Sequence, residues 1–244
     1  MLGFVLLGVG SGSTGISDVL GNMFSSSSGG SGTSISKLQK KVDQAPTNAK
    51  AWRDLATALE QKQRTQDAVN ALVRYTALKP KDQNALAELA SQYGTLATTY
   101  ATAYQNAQTE ASQFASPSAV FAPASTTPFG KAFADPTALQ DPIASAVQSL
   151  ASTKQSTAYS NFQTAQTNAE GVYKKLVALS PSDATTQIQL GQAAQAASDS
   201  KTAIAAYSAF LKLAPTDPLA PQVKQALKQL KLQTPAVTSK PSGG

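Results

Sequence analysis

Leu86-x-x-Leu89-Ala90-x-x-Tyr93 opens a helical pattern, and Ala169-x-x-x-Tyr173-x-x-Leu176-x-x-x-x-Pro181, far along the chain, completes it. The residues between decide the fold. No breaker follows Tyr93. Gly94 stands alone, and one glycine inside a helix costs only about 1 kcal/mol against alanine. The apolar stripe runs on through Leu96, Tyr100, Tyr104, Ala107, Ala111 and Phe114. Its steps of three, four and seven are those of a helical seam. A return stripe reads Ile143, Val147, Leu150, Ala158, Phe162, Ala165, Ala169, Val172, Leu176 and Leu179, with Lys154 as the one poor fit. This spacing predicts two helices of about 30 and about 36 residues, each about 45 to 55 Å long at 1.5 Å per residue. Together they form an antiparallel arm projecting about 25 to 30 Å beyond its neighbours. Between them, Pro117, Pro123, Pro128, Pro136 and Pro142 forbid a continuous helix over the tip, residues 115–142. A short helix is expected there from Pro136 to Leu139.

The flanks carry a shorter version of the same pattern. From Ala49 the chain reads Trp52, Leu55-Ala56, Leu59, Ala68, Leu72, Tyr75 and Pro80. Counting Ala49 as 1, these are positions 4, 7, 8, 11, 20, 24, 27 and 32. From Ala184 the register returns in Leu190-Gly191, Ala194, Ala203, Tyr207, Phe210 and Pro215, with Gln187 departing at position 4. Small residues at positions 8 and 20 let two helices approach closely. Large apolar residues fill the space between them, and the closing proline stops the second helix. In this register the chain resembles the tetratricopeptide repeat, a helical hairpin of about 34 residues. The resemblance implies an all-α fold: an α-solenoid of three helical-hairpin repeats with capping helices, the middle repeat extended into the arm. The expected divisions are a cap at residues 34–48, repeat one at 49–82, the split repeat at 83–183, repeat three at 184–217 and a cap helix at 218–231, making a repeat domain of 34–231.

Both ends fit this scheme. Ile35, Leu38 and Val42 before Pro46 match the second half of a repeat. Their run into Trp52 resembles the tetratricopeptide domains of periplasmic cytochrome c maturation factors. Val223, Leu227 and Leu230, with lysines opposite, form the closing cap with a polar outer face, as end units of a solenoid need. Residues 232–244 are expected to be disordered. Residues 2–9 are apolar but too few to span a bilayer, which takes about 20. They are read as the last turns of a membrane helix; a weak signal sequence and a sticky, disordered start stay open beside that reading. Gly/Ser runs follow, enclosing a short amphipathic turn at Ile16, Val19, Leu20, Met23 and Phe24, so residues 1–33 read as an anchor remnant plus linker. This start resembles the exits of single-pass anchors in actinobacterial envelope proteins. It implies a membrane-associated chain with its repeats outside the cytoplasm; a cytoplasmic location is the alternative.

Composition excludes more than it identifies. The 244 residues hold no cysteine and no histidine, so thiolate chemistry, disulfides and the usual general base are absent. No phosphate-binding glycine loop follows a strand, and no carboxylates fall at metal-site spacing. No cofactor, no metal and no catalytic residue is expected, and the chain reads as a non-enzyme. The net charge of +6 is dispersed rather than interleaved with aromatics, which argues against nucleic acid.

What remains is binding. The resemblance implies that helix A positions 2, 5, 9, 12 and 13 face an inner groove. From these we select Lys50, Arg53, Thr57, Asn84, Ser91, Thr185 and Gln192 as candidate groove residues. Only Lys50 and Arg53 are basic, too few for a clamp on a C-terminal carboxylate. Between Glu88 and Glu110 there is no charge at all. Val120, Phe121, Phe129 and Phe133 are the candidate tip residues, either closing the end of the hairpin or docking on a partner. The expected function is a protein-binding scaffold or adaptor at the cell envelope. A soluble assembly subunit, forming homo-oligomers through the arm, is the alternative.

Overall fold

A computed structural model describes residues 34–113, 126–128 and 142–233. The apolar start, the tip residues Val120, Phe121, Phe129 and Phe133, the helix expected at 136–139 and the tail from 234 lie outside them. The described residues form eight helices: α1 (Ile35–Gln44), α2 (Ala49–Gln61), α3 (Thr65–Leu78), α4 (Gln83–Gln113), α5 (Pro142–Leu179), α6 (Ala184–Ala196), α7 (Ser200–Leu213) and α8 (Ala220–Gln233). The fold is all-α. Each helix packs chiefly on the next in sequence.

Local chemistry sets the ends of these helices. Asn48, Asp183 and Asp199 cap α2, α6 and α7, their side chains accepting from the N–H groups of Ala51, Thr185 and Thr202. Such caps satisfy donors that no helical carbonyl can reach. Pro142 opens α5, where its missing N–H and fixed φ suit the first helical position.

Two hairpins repeat each other residue for residue. The pair α2–α3 and the pair α6–α7 each have helices of 13 and 14 residues. Both turn through a non-glycine residue in the left-handed region, Gln63 at φ 56° and Ser198 at φ 63°. In the first turn the Gln63 and Arg64 N–H groups donate to Glu60 O and Leu59 O; in the second, Ser198 and Asp199 donate to Gln195 O and Ala194 O. One constant offset along the chain carries these two donors and their acceptors onto their counterparts in the second turn. The departure at Gln187 fits as well. Trp52 Nε1 donates to Pro46 O at 2.8 Å, and Gln187 Nε2 donates to Pro181 O at 3.0 Å. Indole and amide tie the same turn.

Gly191 explains why α6 and α7 meet closely. A Cβ at this position would collide with the Tyr207 ring. The Tyr207 hydroxyl crosses to donate to Gln195 Oε1 at 2.8 Å.

Position 15, where the two short hairpins turn, is Ala97 in the middle unit, and there α4 runs straight through it as buried helix. α4 spans 31 residues and α5 spans 38. Their register is unbroken. Ser180 Oγ meets Gln83 Oε1 at one end, and the Tyr104 and Tyr159 rings lie 5.8 Å apart further out. The advance along α4 from Gln83 to Tyr104 equals the retreat from Ser180, the residue just after α5, to Tyr159. The shared core reaches Tyr100 on α4 and Phe162 on α5. Tyr100 also donates to Gln66 Oε1 in the first turn of α3 at 2.7 Å. Beyond it α4 continues to Gln113, a further reach of about 20 Å.

Two details correct the sequence reading, and a third accounts for its one poor fit. Leu150, assigned to the seam, is 56% exposed, while Ala151 beside it is buried. Two helices in close contact take an alanine at the seam and turn the leucine out. Lys154, the poor fit, is exposed and pairs with Glu110 across the hairpin at 2.8 Å. At the C-terminus α8 runs through Leu232 and Gln233, so those two residues are helical and not part of a disordered tail.

Candidate binding cleft

Buried apolar side chains form two clusters, one drawn from α1 to α5 and the other from α6 to α8. A cleft of about 580 Å³ lies where they meet, lined by α4, α5 and α6. α4 contributes Ala90, Ser91, Tyr93, Gly94, Ala97, Thr98 and Ala101; α5 contributes Phe162, Gln166, Ala169 and Tyr173; α6 contributes Gln189, Gln192, Ala193 and Ala196. Alanine and glycine leave the space open. Gly94 has nothing within 4 Å of where a Cβ would sit.

Among the described residues, no charged side chain lines the cleft. This follows from sequence stretches that carry none: 89–109 on α4, 155–169 on α5 and 184–198 around α6. Burial pushes the Tyr93 and Tyr173 phenols above their ordinary pKa, so the ring hydroxyls stay neutral too. The polar groups are amides and hydroxyls. Gln166 Oε1 is buried and has no donor among the described residues.

A second polar cluster joins α2 to α4. Arg53 Nη2 pairs with Glu88 Oε2 at 2.5 Å, and its guanidinium lies 5.8 Å from the centre of the Tyr75 ring. Tyr75 in turn donates to Asp82 Oδ2 at 2.6 Å, and Asp82 Oδ1 accepts from the Ala85 N–H at the start of α4. Glu60 accepts from Gln92 Nε2 at 3.1 Å. Burial raises the Glu60 carboxyl to about pKa 7, helped by a hydrogen bond to Glu88 and by its negative charge. Glu88 Oε1 is buried and has no donor among the described residues, and a protonated Glu60 carboxyl is a group able to donate to Glu88. Hydrogen bonding to Glu88 holds Arg53 in its charged form.

The candidate groove residues separate. Ser91 and Gln192 line the cleft. Arg53 belongs to the ionic cluster. Lys50 is exposed and pairs with Asp54 one turn on at 2.9 Å. Thr57 is exposed and donates to the Arg53 carbonyl. Asn84 and Thr185 are in the first turns of α4 and α6, away from the cleft lining. The sequence reading assigned Tyr93, Phe162 and Tyr173 to the core and passed over Gln166 and Gln189. One signal could have found the two glutamines: Gln166, Gln189 and Gln192 all fall within the charge-free stretches.

A third ionic group ties the two clusters together. Lys174 Nζ on α5 lies 2.6 Å from Glu170 Oε1 and 3.2 Å from Asp199 Oδ2, the cap of α7. Among the described residues no set of three or more acidic side chains is placed to hold a metal ion. Also among them, no helix is long and apolar enough to cross a membrane. No protein-family model and no curated protein matches the chain.

Proposed function

We propose that this chain is a tetratricopeptide-type scaffold that binds protein, without catalysis, in the cleft between α4, α5 and α6. The cleft's uncharged lining carries the reading. Apolar rings and small residues offer area, and glutamine amides offer paired donors and acceptors of the kind a peptide backbone presents. The two short hairpins support the repeat assignment, since matched turns and matched anchoring hydrogen bonds are what a solenoid requires of its units. In this reading α4–α5 is a repeat of the same solenoid with both helices prolonged. The apolar start at residues 2–9 and its Gly/Ser tract would tether the scaffold at a membrane of the cell envelope.

Gly94→Trp tests the cleft. A Cβ at this position meets nothing within 4 Å, and the position lines the cleft, so an indole there should occupy its space. Peptides are selected from a random display library against the wild type, and their affinities are measured by fluorescence polarisation. Gly94→Trp should weaken binding at least tenfold, and Lys50→Gln, on an exposed helix face, should leave it unchanged. Peptides that bind Gly94→Trp as well as the wild type would refute the cleft as the site.

A further inference from the structure

The positive charge of this chain is gathered at one end. Residues 200–244 hold Lys201, Lys212, Lys224, Lys228, Lys231 and Lys240 against Asp217 alone, a balance of +5 out of a net +6. Three of these lysines are spaced along α8 at intervals of four and three, which stacks them on one helix face. Lys224, Lys228 and Lys231 are all exposed, and none has an ion-pair partner among the described residues. Leu227 and Leu232 lie among them, and Leu232 is 76% exposed. An adjoining face of α8 is fixed by Val223 and Leu230, buried in the second core cluster, with Leu227 partly buried against it.

We propose that this face of α8 docks on an anionic lipid surface. Two features select a lipid surface over an acidic protein. First, the three cations that share this helix face are all lysines, as is every cation of the chain outside residues 53–74. Lysine is a hydrated point charge suited to a diffuse negative surface, whereas arginine's planar fork suits defined carboxylates. Second, the shallow crease between the lysines is lined by α8 alone, and among the described residues no second helix joins it to form a groove that could grip a partner segment. A lysine row with a protruding leucine fits a flat interface. The leucine enters the headgroup layer while the ammonium groups stay at the phosphates. This inference does not depend on the cleft between α4, α5 and α6.

Co-sedimentation of the full chain with vesicles tests it. Neutral phosphatidylcholine vesicles are compared with vesicles containing about one-third phosphatidylserine, at low and at high salt. Each surface lysine should contribute about fivefold in affinity at low salt, so Lys224→Gln, Lys228→Gln and Lys231→Gln together should cost about a hundredfold. High salt should have a similar effect on the wild type. The matched triple Lys37→Gln, Lys40→Gln and Lys41→Gln removes the same charge from α1 and should retain binding. Far-ultraviolet circular dichroism verifies that both triples are folded. Equal loss in the α1 triple would overturn the proposal, since net charge alone would then account for binding. Equal binding to neutral vesicles, unchanged by the α8 triple, would also overturn it and assign the affinity to apolar segments elsewhere. Binding to polyglutamate without binding to anionic vesicles would replace the lipid with an acidic protein.

Discussion

Replacing Glu60 by glutamine should stabilise this protein at alkaline pH and leave it nearly unchanged in mild acid. Glu60 titrates near pH 7 in the folded chain, against 4.5 without its surroundings. Between those values the folded state holds a proton that the unfolded state has released. Stability therefore falls as pH rises through this window, and the loss is complete above about pH 7. For a fully desolvated group the shift would correspond to about 3 kcal/mol. Glu60 is only partly buried, and solvent screening reduces this to about 1 to 2 kcal/mol. Glutamine imitates the protonated acid. Its carbonyl can still accept from Gln92, and its N–H₂ can donate to Glu88, whose Oε1 otherwise lacks a donor. Thermal unfolding of wild type and Glu60→Gln is followed by circular dichroism from about pH 5 to about pH 8. The variant should melt about 2 to 8 °C higher at pH 8, and within about a degree of wild type at pH 5. A constant difference across the range would refute the reasoning. So would destabilisation at pH 8, which would mean that Glu60 is ionised and paired with Arg53.

Two further outcomes follow from the packing. Asp199 caps α7 and receives Lys174, and its hydrogen bonds from Thr202 hold its carboxyl well below the usual carboxylate range. Its contribution is present above about pH 4 and is lost as pH falls below that, so Asp199→Asn should flatten the acid limb of a pH–stability curve and cost about 1 to 2 kcal/mol at neutral pH. Gly191→Ala drives a methyl group into the Tyr207 ring and should cost about 1 to 3 kcal/mol by urea denaturation, whereas Gly94→Ala, in open space, should be neutral or stabilising by up to about 1 kcal/mol.

Much of this architecture was legible because helices announce themselves by periodicity. The stripe through Leu96, Tyr100 and Tyr104 predicted a helix continuing past position 15, and α4 does so. The hairpins at Ala49 and Ala184 were legible from small and large residues recurring in register. Periodicity failed where two neighbours compete for one seam. Leu150 and Ala151 are both apolar and adjacent, and hydropathy favours the leucine. Helix–helix distance favours the alanine, and that distance is set by the facing helix. The Trp52 and Gln187 pair was illegible for another reason. The two share no apolar character; what they share is an N–H at the right reach.

The cleft was hidden for a third reason. Its lining comes from three helices far apart in sequence, and its chemistry is defined by what is missing. A charged or aromatic motif draws the eye; a run without charge reads as plain surface. Here three charge-free runs, on α4, α5 and α6, converge on one concavity, while the ionic groups Arg53–Glu88 and Lys174–Asp199 are not part of its lining. A charged ligand entering this space would lose hydration without meeting an opposite charge. An uncharged one would lose little, and the amides of Gln166, Gln189 and Gln192 could replace its water. The ionic groups and the cleft are therefore separate: fixed charges join neighbouring helices, and the surface that lines the cleft is neutral, which is the ground of the proposal that it takes an uncharged peptide segment.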